Sequence, residues 1–403
     1  MKLRGAQPGR LTGAIALCAL LAALLTPGLA QADERASASI VGGKVASITD
    51  FPSLAFIEAA DKENRFACTG TVIAPRVILT AAHCVEDLQG KGGFTPIRNY
   101  AVATGATNPF EAEKENVSRI TATHVFPGFD PGNLHGDAAV LVLEKATTAP
   151  PIAIATSADS ALYDGGATVQ LAGWGLMKGD AGAAPSHLRS ASTVLQAPSF
   201  CQRKTQAFYR PYSQAAQMCT LDSTTKATGG CYGDSGGPAI AVRPDGTQVE
   251  VGITSTGGPM CNPKLPNVLT RTDAISTWAL QWVAAVESGG PPPVVDPAAP
   301  LPPLNTESGG EFATFRLAAA FGARFVDSET GNIKCKRLAR SRVGCEVFWI
   351  YGANIYGAEV KVFYLRAHDA VVWDSHFRAR WGRLACLEDE DRRRPCPLQS
   401  KRG

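Results

Sequence analysis

Short apolar runs separated by glycine and proline turns fill the chain between residues 40 and 286. Clear examples lie at 71–73, 77–80, 139–143, 168–172 and 250–255. Runs of this length and spacing are typical of antiparallel sandwiches and barrels, because each strand needs a turn before it pairs with the next. The stretch 273–286 instead places its apolar residues on one face of a helix. We therefore expect an all-β domain that ends in a helix.

A proline-rich stretch at 288–304 follows this domain. Proline at this density fits neither a helix nor a sheet interior, so an extended linker of about 3 Å per residue is expected. Beyond it, residues 305–403 alternate apolar and polar positions on either side of a Gly-Ala-Asn turn at 352–354. This pattern predicts a small, accessory β-rich domain with a hairpin.

The N-terminus has the pattern of a secretory signal. Basic residues precede an apolar run at 11–25, and small residues flank position 31. The run is shorter than the roughly 20 residues of a membrane-spanning helix, so we assign 1–32 as a signal peptide, with a short membrane anchor as the alternative. Removing Cys18 leaves ten of the eleven cysteines, an even number suited to disulfides outside the cell. The protein is expected to be secreted and extracellular, with no membrane span.

Charge argues against nucleic acid as a partner. The chain has 39 basic and 36 acidic residues, for a net charge of +3. A protein that binds the phosphate backbone usually shows a clear basic excess. No nucleic acid is therefore expected as a partner. We also expect no cofactor and no metal ion.

The segment 231–238, Cys-Tyr-Gly-Asp-Ser-Gly-Gly-Pro, surrounds Ser235 with glycines. A serine hydroxyl becomes a good nucleophile only when a neighbouring base takes its proton. Glycines allow the sharp turn that points two backbone amides at one oxyanion, here those of Gly233 and Ser235. The alternative is a glycine-rich turn with an incidental serine.

A base and a carboxylate would complete the set. His83 follows an apolar strand and precedes a cysteine, which makes it the candidate base. Asp137 begins a strongly apolar strand, where an unpaired carboxylate would be costly. Asp130 and Asp159 are rivals by residue type, but they lie in proline-, glycine- or polar-rich surroundings.

With these motifs the chain resembles the chymotrypsin-like (trypsin family) serine endopeptidases. It has the family's order of histidine, aspartate and serine, and further matches at Ile-Val-Gly-Gly (40–43), Gly-Trp-Gly (173–175) and Ser-Thr-Gly (255–257). The resemblance covers about 40–286 and implies two antiparallel β-barrels with the site in the cleft between them. It implies that His83, Asp137 and Ser235 form the catalytic triad, and that the Gly233 and Ser235 amides form the oxyanion hole.

The resemblance also implies a precursor. Ile40 would become a new N-terminus whose ammonium pairs with Asp234. Residues 33–39 would then be a propeptide. Many relatives have a basic residue before the cut, whereas this chain has Ser39, and Arg35 lies farther back. The activating protease, or the chain itself, should therefore accept small residues.

The implied substrate pocket lacks the carboxylate that trypsin-type enzymes have at its bottom. Gly229 stands where trypsin-type enzymes place the aspartate that attracts Lys or Arg, and Gly257 leaves one wall open. Asn267 on the other wall would shorten the pocket and line it with polar atoms. Ser255 would hydrogen-bond near the catalytic carboxylate. We expect small or medium uncharged side chains at P1, the substrate residue before the cut.

Cysteine pairings follow from the resemblance in the protease part and from proximity in the tail. The expected disulfides are Cys68–Cys84, Cys201–Cys219, Cys231–Cys261, Cys335–Cys345 and Cys386–Cys396.

The aromatic residues of the tail favour a hydrophobic core, with a glycan or cell-surface site as the alternative. The sequence as a whole predicts a secreted serine endopeptidase that acts on proteins or peptides. A catalytically silent binding protein or adhesin of the same fold is the alternative, and an esterase or lipase is a second one, although it predicts a different chain order.

Overall fold

The computed structural model describes residues 40–60, 65–86, 93–176, 187–205, 211–294, 300–367, 370–384 and 397–403. The expected signal peptide and propeptide (1–39), Cys386 and Cys396, and residues 295–299 of the expected linker lie outside the described residues.

The first part of the chain consists mostly of short antiparallel strands. They are β1 (Lys44–Val45), β2 (Leu54–Ala60), β3 (Arg65–Ala74), β4 (Val77–Thr80), β5 (Tyr100–Thr104), β6 (Val117–Ser118), β7 (Ile120–Val125), β8 (Ala139–Leu143), β9 (Ala153–Ile154), β10 (Thr168–Gly173), β11 (Arg189–Val194), β12 (Gln217–Thr220), β13 (Pro238–Val242), β14 (Gln248–Thr256) and β15 (Asn267–Arg271). Helices α1 (Pro198–Thr205) and α2 (Thr272–Ser288) accompany them.

These strands form two sheets. The first has the order β6-β5-β2-β3-β4-β8-β7, and the second has the order β1-β11-β10-β13-β14-β15-β12, with β9 parallel to β14. Both β4 and β8 are buried along their whole length, as their uninterrupted apolar sequences require. The predicted terminal helix is α2, which buries Ile275, Trp278 and Trp282 in the core of the first sheet. The all-β expectation is confirmed.

The C-terminal part is one antiparallel sheet with a helix on one face. It contains α3 (Thr306–Phe321), α4 (Ala323–Val326), β16 (Glu329–Ala339), β17 (Arg342–Tyr351), β18 (Asn354–Ala367), β19 (Ala370–Arg383) and β20 (Gln399–Arg402), with the strands paired in sequence order. The sequence analysis did not anticipate α3.

Most aromatic residues of the C-terminal part belong to its core. Trp349 stacks on Tyr356 with ring centroids 4.9 Å apart, and Phe321 meets both rings edge-on. Trp373 stacks on Phe312 of α3 at 4.5 Å. These rings hold the helix on the sheet, because aromatic pairs bury a large apolar area.

Disulfides join Cys68 to Cys84, Cys201 to Cys219, Cys231 to Cys261, and Cys335 to Cys345. Each of these pairs was among those expected from the sequence. Among the described residues, none of the helices has the length and apolar character needed to cross a membrane.

Glu250 is a fully buried carboxyl that links the two sheets. It projects from β14, and the Thr71 hydroxyl of β3 donates to its Oε2 at 2.6 Å. Its Oε1 has no hydrogen-bond partner among the described residues. Burial raises the pKa of Glu250 to about 8, although the hydrogen bond from Thr71 opposes this. The folded protein therefore keeps a proton that the unfolded chain releases near pH 4.5.

This proton makes stability depend on pH. Because the folded state binds the extra proton, the free energy of unfolding should fall between about pH 4.5 and 8, by up to about 1.4 kcal/mol per pH unit. Glu250→Gln should keep the acceptor for Thr71 and remove this part of the slope. Denaturant unfolding at several pH values measures it, with exposed Glu144→Gln as the control. Equal slopes for wild type and Glu250→Gln would contradict the account.

Candidate active site

A buried carboxylate, Asp137, forms the centre of the site at the start of β8. Its Oδ1 accepts a hydrogen bond from the His83 backbone amide at 2.9 Å, and its Oδ2 lies 2.7 Å from His83 Nδ1. The Ser255 hydroxyl, from the second sheet, donates to the same Oδ2 at 2.5 Å. The Thr270 hydroxyl donates to the Asp137 carbonyl at 3.0 Å. Both sheets thus contribute donors to one fully buried residue.

Asp137 stays ionised although it is buried, because these groups donate hydrogen bonds to it. Burial alone would raise the pKa of Asp137, but the His83 ring and the hydrogen bonds from His83 and Ser255 outweigh it and hold the pKa below its ordinary value. The carboxylate can therefore orient the imidazole through Nδ1 and stabilise its protonated form.

His83 lies on a single helical turn, Ala82–Cys84, directly after β4. The disulfide between Cys84 and Cys68 ties this turn to β3. Because the two sulfur atoms beside the ring are bonded to each other, they do not offer thiolates to a metal ion. The turn is fixed on one side by the disulfide and on the other by Asp137.

Cys84 lies close to both the His83 imidazole and the backbone of Ser235. Cys84 Sγ is 4.0 Å from His83 Nε2 and 3.7 Å from the Ser235 carbonyl oxygen. The Thr69 amide donates to that carbonyl at 2.9 Å, which holds the serine turn against the first sheet. The backbone of Ser235 and the ring of His83 thus lie beside the same disulfide, and His83 contacts Asp137.

The turn before Ser235 requires glycine at position 233. Gly233 has φ of 98°, and an added Cβ would lie 3.0 Å from Gly175 Cα. The Thr69 hydroxyl donates to the Gly233 carbonyl at 2.9 Å and fixes the orientation of this peptide. Thr69 therefore holds both ends of the turn around Ser235. Sequence reasoning missed it, because nothing in the local sequence links Thr69 to a segment more than 160 residues away.

Asp234 is a second buried carboxyl, next to Ser235. The Cys231 and Gly175 amides donate to its two oxygens at 2.9 and 2.8 Å. Burial raises the pKa of Asp234 to about 7, more than these two amides lower it. Ile40 is also fully buried, in the core of the second sheet.

Asn267 lies across the cavity expected to hold the substrate side chain. Its Nδ2 is 3.5 Å from the Gly230 carbonyl oxygen. An added Cβ at Gly229 would lie 2.8 Å from Asn267 Oδ1, and one at Gly257 would lie 3.0 Å from Asn267 Nδ2. The amide therefore spans the space between the two glycine positions named from the sequence.

The two rival aspartates have other contacts. Asp159 forms an ion pair with Arg243 at 2.6 Å and caps a helical turn through Thr156. Asp130 is buried and accepts a hydrogen bond from Tyr364 of the C-terminal part. Of the three aspartates, Asp137 is the one that accepts the His83 backbone amide and lies against the His83 ring.

Comparison with known proteins agrees with this geometry. The family model described as Trypsin matches residues 40–279, which is more than half of the chain. The chain belongs to the trypsin family. Its fold is the chymotrypsin-like one expected from the sequence, and its activity is that of a serine endopeptidase, a hydrolase of peptide bonds.

Several trypsin-family relatives are similar over most of their own length. One is described as "Trypsin", from Saccharopolyspora erythraea, at 29% identity over 58% of this chain and 94% of that protein. Another is a "Trypsin-like protease" from Streptomyces glaucescens, at 29% identity over 68% of this chain and 90% of the relative. "Granzyme H" from Homo sapiens is 30% identical over 64% of this chain and 94% of that protein.

Proposed function

We propose that this trypsin-family protein is a secreted serine endopeptidase, made as a precursor, in which Ser235, His83 and Asp137 form the catalytic triad. The observation that carries the proposal is the buried Asp137 carboxylate, which contacts His83 Nδ1 at 2.7 Å, while Cys84 Sγ lies 4.0 Å from His83 Nε2 and 3.7 Å from the Ser235 carbonyl oxygen. Secretion is supported by the signal-like sequence at 1–32 and by the disulfides.

The reaction follows from these positions. Ser235 Oγ attacks the carbonyl carbon of the scissile bond while His83 Nε2 takes its proton. The negative charge moves to the carbonyl oxygen, where the Gly233 and Ser235 amides would donate to it. Asp137 stabilises the imidazolium, which then gives its proton to the leaving amine as the carbon–nitrogen bond breaks. Water repeats these steps on the acyl-enzyme, releases the acid and restores Ser235.

Labelling tests the triad directly. A fluorophosphonate should label the processed wild-type protein at Ser235, and casein should be cleaved. Ser235→Ala should abolish labelling and lower turnover by about a thousandfold or more, because the acyl-enzyme cannot form. Ser223→Ala, at an exposed serine, should match the wild type. Label retained in Ser235→Ala would refute the assignment, and ester hydrolysis without casein cleavage would indicate an esterase.

We propose that the pocket selects small or medium uncharged P1 side chains. The supporting observation is the Asn267 amide, which occupies the space between Gly229 and Gly257. No carboxylate stands at Gly229 to attract Lys or Arg.

Enlarging the pocket should change the preference. Asn267→Gly removes the side chain that shortens the cavity, so larger apolar P1 residues should gain about tenfold in kcat/KM relative to alanine. Profiling a peptide library with variation at P1 measures this, and Asn99→Gly is the control outside the pocket. A dominant Lys or Arg preference in the wild type would overturn the proposal.

We also propose that cleavage before Ile40 activates the enzyme. The new ammonium would offset the burial of Asp234 and order the adjacent oxyanion turn. Support comes from the burial of both residues and from the pairing of Val41 with Gly229, whose amides and carbonyls are 2.9 and 3.1 Å apart. Pairing with Asp234 raises the pKa of the Ile40 ammonium above its ordinary value of about 8. The ion pair therefore holds below the raised pKa and is lost as the pH rises through that raised value.

Two matched chains test activation. A chain that begins at Ile40 should be active and should lose activity reversibly at alkaline pH. A chain that begins at Ser39 places the charge one residue too far away and should be on the order of a hundredfold less active, because no ammonium then pairs with the buried Asp234 carboxylate. Both are assayed for kcat/KM over a pH series. Equal activity of the two chains would contradict the switch.

A further inference from the structure

The loop between β7 and β8 is held in a demanding conformation just before Asp137. Leu134 has φ of 54°, a left-handed conformation that costs a non-glycine residue about 1–2 kcal/mol. Asp130 organises this turn, since its Oδ1 accepts from the Gly132 amide at 3.0 Å and its Oδ2 accepts from Asn133 Nδ2 at 2.8 Å. Its own amide donates to the His135 carbonyl at 2.9 Å. The path of the chain into Asp137 therefore depends on Asp130.

The C-terminal domain completes this turn. Residues 40–403 belong to one compact unit, in which the Tyr364 hydroxyl of β18 donates to Asp130 Oδ1 at 3.0 Å. The Ser308 hydroxyl, in the first turn of α3, donates to the Gly132 carbonyl at 2.9 Å. Tyr364, Ser308 and Asp130 are all buried. Buried hydrogen bonds to a carboxylate are stronger than those at the surface, because water does not compete for the donor.

Tyr364 keeps its proton throughout the working pH range. Burial raises the pKa of its hydroxyl strongly, and the Asp130 charge and hydrogen bond raise it further. Glu86, three residues after His83, acts in the same direction. Tyr364 therefore stays a hydrogen-bond donor to the loop that precedes Asp137.

A second contact reaches the segment after His83. The Gly93 amide donates to the Trp373 carbonyl at 3.2 Å, and Trp373 stacks on Phe312 of α3. Thr95 then joins this segment back to the histidine turn, since its amide donates to the Val85 carbonyl at 3.0 Å. The C-terminal domain thus contacts both the segment that follows His83 and the loop that precedes Asp137.

We propose that the C-terminal domain is a positioning element of the active site, in which Tyr364 and Ser308 hold the 130–135 loop and, through it, Asp137. The inference rests on the proposed triad for its effect on catalysis, while the hold on the loop can be measured independently of activity. It assigns the domain a role at the site in addition to any ligand that it binds. Coupling of this kind requires a direct test on both ends of the contact.

The test removes one hydroxyl at a time in the full processed chain. Tyr364→Phe keeps the ring and loses the donor to Asp130, and Ser308→Ala loses the donor to Gly132. Hydrogen exchange of the amides at 130–136 should become about tenfold faster in either variant, as expected for loss of a buried hydrogen bond. In parallel, kcat per fluorophosphonate-titrated site should fall about threefold to tenfold on a single-residue ester, with KM within about twofold of the wild type. Tyr351→Phe, at an exposed tyrosine of the same domain, is the control.

The two arms separate the possible failures. Unchanged exchange at 130–136 in both variants would overturn the proposal. A lower melting temperature with unchanged kcat per titrated site would show that the contact only stabilises the fold, and it would overturn the positioning role. Absence of fluorophosphonate labelling in the wild type would refute the triad instead, and the exchange arm would still decide whether the domain holds the loop.

Discussion

The site depends on keeping one carboxylate ionised in the protein interior. Asp137 is inaccessible to solvent, so its charge persists only because His83 and Ser255 donate to it. His83 follows a strand of the first sheet, and Ser255 lies on a strand of the second. The carboxylate therefore receives all of these donors only when the two sheets are docked.

Two further carboxyls are buried, and their surroundings differ. Glu250 links the sheets through Thr71 and stays protonated, because burial outweighs that one hydrogen bond. Asp234 receives two amides and still has a raised pKa, so a positive partner would stabilise it further. Glu250 accepts one hydrogen bond and Asp234 accepts two, yet burial raises the pKa of both carboxyls. The Asp234 carboxyl leaves room for control by cleavage at Ile40.

Much of the protease part could be predicted from sequence, because its signals are local. The strand at 77–80 and the helix near 273–286 follow from apolar periodicity, and Ser235 and His83 stand in distinctive segments. Thr69 and Tyr364 could not be found in this way, since each acts on residues more than 150 positions away. Their roles exist only after tertiary packing.

Helix α3 illustrates the opposite problem, in which local signals argue against the observed structure. Two adjacent glycines, Gly309 and Gly310, weaken a helix interior. The helix forms because Asn305 caps it at 2.7 Å and its apolar face packs on the sheet. An added Cβ at Gly309 would lie 2.6 Å from the Val343 side chain, so glycine permits the close approach of helix and sheet.

The Asp137 carboxylate should accept a hydrogen bond from the His83 Nδ1 proton in the protein interior. Proton NMR of the processed chain observes this proton directly. We expect a downfield Nδ1 proton resonance that is protected from solvent in the wild type and lost in a folded Asp137→Asn variant. A folded wild-type chain in which this proton exchanges as freely as in an exposed histidine would contradict it.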